Sequence, residues 1–185
     1  MPGPIAYPWG FPLLLAPIYA ALGLNLIALK LPGLFCFLGF LVCLYLLARK
    51  SLPKIESVFV AAIFAFHPFL LGYLDQILSD IPYLFVSTLS LLYFYSLNTE
   101  RRTSVIQAAT FSLLMFFSLF TRTAGFTLLI GYLLVRALDA WRLRHKPAQL
   151  RNIAHEMFLI LSITGTVLLA SNFLLPSFLT ESSYS

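Results

Sequence analysis

Residues 26–50 read LIALKLPGLFCFLGFLVCLYLLARK, an apolar run broken by one charge, Lys30, and closed by Arg49 and Lys50. A helix needs roughly 20 predominantly apolar residues to cross the hydrocarbon core of a bilayer, and this run has that length. It lacks the apolar-out, polar-in alternation of an outer-membrane barrel strand. It therefore reads as a membrane-crossing helix. The whole chain agrees: of 185 residues, 60% are hydrophobic and 10% charged, whereas a soluble domain carries about 25% charged residues. A globule of this composition has too few polar groups to cover its surface, so lipid is the expected solvent.

Working outward from that run, the remaining charges cut the sequence into segments of similar length. Spans are expected at about 26–48, 55–75, 81–98, 104–121, 124–141 and 153–175. Residues 5–25 differ, because Pro8, Pro12, Pro17 and Gly23 punctuate them and proline interrupts helix hydrogen bonding. A loop and a short helix over about 12–22, lying in the interface, are expected there, with Tyr7, Trp9 and Tyr19 at headgroup level. A seventh span ending near Lys30 is the rival reading. The start, Met1-Pro2-Gly3-Pro4, lacks the basic region of a signal peptide. The expected fold is an all-α polytopic transmembrane helix bundle of about six spans plus an N-terminal interfacial helix. Its organisation is an external loop and interfacial helix over 1–25, the bundle over 26–175, and a polar tail over 176–185.

The formal net charge is +5. The basic residues sit in short gaps between apolar runs, which points to anionic headgroups and topology control and away from nucleic acid. Arg49, Lys50 and Lys54 fill the first gap, Arg101 and Arg102 the third, and Arg136, Arg142, Arg144, Lys146 and Arg151 cluster around the fifth. The positive-inside rule makes these alternate gaps cytoplasmic and both termini non-cytoplasmic. Short loops favour the bacterial plasma membrane. Cys36 and Cys43 read as small buried hydrophobes. Ala61 with Ala65, and Ser162 with Thr166, offer small-residue faces for neighbouring helices.

The informative residues are the ionisable groups at the non-cytoplasmic ends of spans, since charge near the hydrocarbon is costly and tends to be paired, wet or functional. Asp80, in Leu78-Ser79-Asp80-Ile81-Pro82, is either a helix cap or a carboxylate facing an external cleft. Asp75 joins it or is a solvated helix end. Arg122 either snorkels or binds phosphate with its forked donors, helped by the N-terminus of the helix that follows. Lys30 snorkels outwards or adds a second positive charge to the cleft. His67-Pro68, in mid-span, reads as a structural histidine beside a proline kink. Glu56, Asp139 and Glu156 read as solvated partners of nearby Arg and Lys. Neither a phosphate loop, a H-E-x-x-H helix nor a nucleophile elbow occurs in the sequence.

Four stretches together resemble the membrane-embedded GT-C glycosyltransferases, the group that includes family 39 protein mannosyltransferases and ArnT-like enzymes. Tyr7-Pro8-Trp9-Gly10-Phe11-Pro12-Leu13-Leu14-Leu15 is similar to the group's YPPGYPLLL element. Gly23-Leu24-Asn25-Leu26-Ile27-Ala28-Leu29-Lys30 resembles its G-x-N-x-x-A-x-R element, with Lys30 in place of Arg. Leu78-Ser79-Asp80-Ile81-Pro82 resembles its LS(D/E)-x-P element. Phe120-Thr121-Arg122-Thr123-Ala124-Gly125 resembles its L-T-R-P-x-G element, with Thr123 in place of Pro. The likeness covers about residues 7–141.

The resemblance implies transfer of a sugar from a polyprenyl-phosphate donor on the non-cytoplasmic face. Asp80 would be the catalytic acidic residue, Arg122 and Lys30 the donor-phosphate cations, and Tyr7 and Asp75 would line the same cleft. It leaves open a divalent cation as cofactor. The implied partners are the lipid bilayer and the lipid-linked sugar, with other membrane helices as a further class and no nucleic acid. The group's principal catalytic acid lies on an outer loop before these elements, and no Asp or Glu precedes Glu56 here. A partial module is therefore expected, either truncated or binding the lipid-linked sugar without transferring it. The competing classes are a small multi-pass transporter, which needs more charge inside the spans and a discontinuous helix, and a structural membrane subunit without catalysis.

Overall fold

Apolar runs bounded by Gly, Asn, Pro or charged residues become helices along the chain. The computed structural model describes residues 9–97 and 102–174, and among them the regular structure is helical, with no strand. Tyr7, Arg101 and the tail 176–185 lie outside the described residues. The chain divides into two compact units, Gly10–Tyr95 on the one hand and Ser96–Ser185 with Met1–Trp9 on the other.

The Gly10–Tyr95 unit holds α1 (Gly10–Leu22), α2 (Leu26–Ala48), α3 (Lys54–Ala65), α4 (Pro68–Leu74) and α5 (Asp80–Ser96). α1 stops at Gly23, whose φ of 63° is left-handed and is reached without steric cost because there is no Cβ. Asn25 then starts α2, its side chain accepting from the amides of Ile27 and Ala28 at 3.1 and 3.2 Å, two of the donors a helix start leaves unsatisfied. α1 is about 20 Å long at 1.5 Å per residue, too short for the hydrocarbon core. The short helix expected over 12–22 is thus present, beginning two residues earlier. Pro68 supplies no N–H and holds His67 extended, which ends α3 and opens α4. The two helices bend by 56°, more than a proline kink in a continuous span. Phe37 and Phe40 of α2, Leu70 of α4 and Ile81 of α5 form the core of this unit.

The second unit holds α6 (Val105–Thr121), a 3-10 turn (Thr123–Gly125), α7 (Phe126–Arg142) and α8 (Pro147–Leu174). Ser104 and Gln107 close a capping box at the start of α6, satisfying two orphan donors reciprocally. Ala108, Phe111, Ser112, Met115 and Leu119 are buried on α6 at the three- and four-residue spacing of one helix face. Ser112 Oγ donates to Ile160 O of α8 at 3.2 Å, a close approach that a small side chain permits. Ser162 and Thr166, expected to form such a face, are instead exposed, and Thr166 Oγ1 bonds within its own helix. The turn after α6 depends on Gly125, because a Cβ there would come within 2.5 Å of Leu119 N and 2.6 Å of Ser118 C. Backbone cannot yield as a side chain end can, so Gly125→Ala is expected to destabilise the chain by about 2–3 kcal/mol, the upper part of the overpacking range. Denaturation of the purified variant in mixed micelles measures it.

Among the described residues, three helical stretches are long and apolar enough to cross a membrane: Leu26–Ala48, Thr123–Arg142 and Pro147–Ser171. Counting the bent pair α3 and α4 as one span makes four. Only 17%, 17% and 22% of their respective apolar windows are buried within the chain. The rest of these apolar surfaces needs lipid or other membrane helices, and this supports an integral membrane protein.

Candidate functional site

Lys30 lies in the second turn of α2, and Asp75 caps the C-terminal end of α4. Asn25 fixes where α2 begins, and Pro68 fixes where α4 begins, so both charges reach the same place. Lys30 Nζ donates to Asp75 Oδ1 at 2.6 Å across 45 residues of sequence. The pair lies at the surface of the chain, with the Asp75 side chain 85% and the Lys30 side chain 37% exposed. Such a pair adds little to stability, but it marks a charged spot on the surface of this unit. Lys30 thus has a specific carboxylate partner, and Asp75 is an exposed helix end that is ion-paired. Beside it, Pro68, Phe69, Gly72, Tyr73 and Gln76 line an open, largely apolar recess of about 300 Å³.

The Lys30 hydrogen bond, and then its charge, hold the Asp75 carboxyl below the usual carboxylate range. A lowered value in the folded chain means that the pair stabilises above the ordinary Asp value of about 3.9 and that this is lost as pH falls through the folded value. The Asp75 carboxyl, followed by carbon NMR, is expected to titrate at lower pH in the native chain than in Lys30→Gln. Equal midpoints would remove the coupling.

Asp80 belongs to the same unit and is the half-buried first residue of α5. Pro82 follows in the first turn, buried, where its missing N–H leaves nothing unsatisfied. A carboxylate there is favoured by the helix dipole. Arg122 belongs to the other unit. It is half-buried and extended between α6 and the 3-10 turn, with Gly125 N donating to its carbonyl at 2.9 Å. The fold therefore joins Lys30 and Asp75, and it leaves Asp80 and Arg122 in different units. Among the described residues no group of three or more His, Cys, Asp or Glu could hold a metal ion.

The strongest polar arrangement is one that sequence reasoning missed. Glu156 of α8 is 1% exposed and Arg136 of α7 3%. Arg136 Nε donates to Glu156 Oε1 at 2.8 Å, and Nη2 lies 2.7 Å from the same oxygen. Tyr132 OH donates to Oε1 at 3.3 Å, Thr103 Oγ1 donates to Oε2 at 3.0 Å, and Arg136 Nη1 donates to Asp139 Oδ2 at 3.1 Å. Glu156 is thus enclosed, not solvated, and Arg136 is a buried partner, not a loop charge. Tyr132, Arg136 and Asp139 share one face of α7 by their spacing. The signal was available: Arg136 and Glu156 fall inside the spans drawn over 124–141 and 153–175, and an ionisable residue within a span points to the bundle interior. With both oxygens engaged, Glu156 serves to join α7, α8 and the segment before α6.

Comparison with known protein families, with proteins of known function and with solved structures finds no match to this chain.

Proposed function

We propose that the chain is a glycosyltransferase-like membrane module that binds a polyprenyl-phosphate-linked sugar at the non-cytoplasmic end of α2, α4 and α5. The observation that carries this reading is the Lys30–Asp75 ion pair at 2.6 Å. It joins a charge from the G-x-N-x-x-A-x-K stretch to the segment leading into Leu78-Ser79-Asp80-Ile81-Pro82, two of the elements that resemble the GT-C group. A donor phosphate competes with the Asp75 carboxylate for the Lys30 ammonium. The apolar recess beside Asp75 suits the isoprenoid next to that phosphate. Where transfer follows, Asp80 takes the acceptor hydroxyl proton, a bond forms from that oxygen to the anomeric carbon, and the bond from that carbon to the phosphate oxygen breaks. The departing phosphate carries the negative charge, which Lys30 stabilises. Arg122 keeps the role of a further phosphate cation within its own unit.

In this reading six segments cross the membrane. α5 and α6, at about 25 Å each, sit at the short end of the range of about 17–25 residues for a spanning helix. The gaps rich in Lys and Arg face the cytoplasm of a bacterial cell, α1 lies in the interface, and both termini are non-cytoplasmic.

The test is binding of a short-chain isoprenoid phosphate to the purified chain. Lys30→Gln is expected to weaken it about tenfold, the loss of one charge-assisted contact. Unchanged affinity would remove Lys30 from the site. A second reading, a small transporter, is favoured by one observation, the 56° break between α3 and α4, since discontinuous helices build transporter sites. Solute uptake by vesicles carrying the chain, without sugar transfer, would select it.

A further inference from the structure

Between the segment before α6 and the second and third turns of α8, Arg102, Arg151, Asn152 and His155 line one recess of about 260 Å³. None of them belongs to the donor site proposed above. Arg151 and His155 stand four residues apart on α8 and so share a face. Two guanidinium groups around one recess repel each other unless an anion lies between them, and their forked donors match phosphate oxygens. His155 Nδ1 is buried and has no hydrogen-bond partner among the described residues, whereas buried polar atoms are nearly always satisfied.

The walls are also held in place. Arg102 precedes Thr103, His155 precedes Glu156, and Thr103 Oγ1 donates to Glu156 Oε2 at 3.0 Å. One buried hydrogen bond therefore fixes the chain on both sides of the recess. The Glu156 carboxylate behind it is paired with Arg136. The backbone of both walls is thereby set, while the exposed Arg102 and Arg151 side chains are ordered on binding. The volume lies just under the range of about 300–1,000 Å³ for small-molecule pockets, room for a compact phosphate head. Arg142 ends α7, and Arg144 and Lys146 lie in the loop that leads to α8.

We propose that this recess binds the phosphate of an anionic lipid headgroup. Basic pockets between transmembrane helices at an anionic leaflet recognise such headgroups by charge and forked hydrogen bonds. The site is independent of the donor site, because Lys30→Gln alters none of its side chains.

The test titrates the full chain, purified in neutral detergent, with short-chain phosphatidylglycerol, short-chain phosphatidylcholine and inorganic phosphate, read by phosphorus NMR. Phosphatidylglycerol is expected to bind, and phosphatidylcholine to bind about tenfold more weakly because its ammonium faces the arginines. The double variant Arg102→Gln with Arg151→Gln is expected to lose about tenfold or more in phosphatidylglycerol affinity, and Arg142→Gln with Arg144→Gln to lose none. Inorganic phosphate binding as tightly as phosphatidylglycerol would assign the recess to a free phosphate and overturn the lipid assignment. Equal affinity for the two lipids, equal loss in the two double variants, or no loss in the first, overturns the site. Should the first double variant not fold, a photoreactive phosphatidylglycerol on the unaltered chain decides. Crosslinks at Arg102 or residues 151–155 support the recess, and crosslinks confined elsewhere overturn it.

Discussion

Arg136→Met is expected to cost about 3–5 kcal/mol of folding stability, because it leaves the Glu156 carboxylate buried without its cation. Both side chains are almost fully enclosed, so water cannot take over as it would at a surface pair. Methionine is close to the arginine stem in volume, so the loss reports charge and hydrogen bonding more than packing. A surface ion pair would give about 0–1 kcal/mol in the same experiment, which makes the magnitude decisive. The double variant Arg136→Met with Glu156→Leu is expected to recover part of the loss, since an apolar pair replaces the ionic one at little net cost. Recovery stays incomplete, because Thr103 and Tyr132 then lose the oxygens to which they donate, each at about 1–3 kcal/mol if left buried without a partner. Denaturation in mixed micelles, followed by circular dichroism, gives both numbers. A loss under about 1 kcal/mol in the single variant would mean that this pair does not hold α7 to α8.

How much of this was legible in the sequence differs from element to element, for physical reasons. α2 declares itself, since a long apolar run interrupted only by Lys30 near its start and closed by Arg49 and Lys50 is satisfied in lipid only as a helix. The short α1 is legible from Pro8, Pro12, Pro17 and Gly23, which keep a long continuous helix from forming over residues 5–25. His67-Pro68 announces a local disturbance, but its extent is set by what packs around it. Leu70 and Leu74 of α4 turn onto Phe37 and Phe40 of α2, and no local pattern encodes that choice. The same holds for Lys30 and Asp75, which lie on different helices and meet only through tertiary packing. Arg136 and Glu156 were hidden by their neighbourhood, because a strongly basic loop nearby makes every adjacent charge look like a topology signal. The face formed by Ser162 and Thr166 misled in the other direction. Small residues four apart permit a close helix contact without requiring one, and α8 turns Ile153, Ile160 and Thr164 inward instead.

Where transfer follows donor binding as proposed, Asp80→Asn is expected to lower it by about 10²- to 10⁴-fold, the usual contribution of a positioned general base, while donor binding stays within about twofold of the unaltered chain. Asparagine keeps the size of the side chain, and losing the carboxylate from the first turn of α5 costs only about 0.3–1 kcal/mol, so α5 and the buried Pro82 are expected to stay in place. What it cannot do is accept the proton of an attacking hydroxyl. A role confined to starting α5 would leave turnover unchanged, because losing a favourable helix-dipole contact does not unfold the helix. A role in electrostatic attraction of a cation would instead raise the apparent Michaelis constant with little change in the maximal rate. Asp80→Glu separates position from chemistry, since it retains a base on a longer arm and is expected to keep part of the activity that Asp80→Asn loses. The assay transfers a labelled sugar from a polyprenyl-phosphate donor to an acceptor hydroxyl in vesicles carrying the full chain. Equal rates for the unaltered chain and Asp80→Asn would reduce Asp80 to a helix start and leave Lys30 and Asp75 as a binding element only.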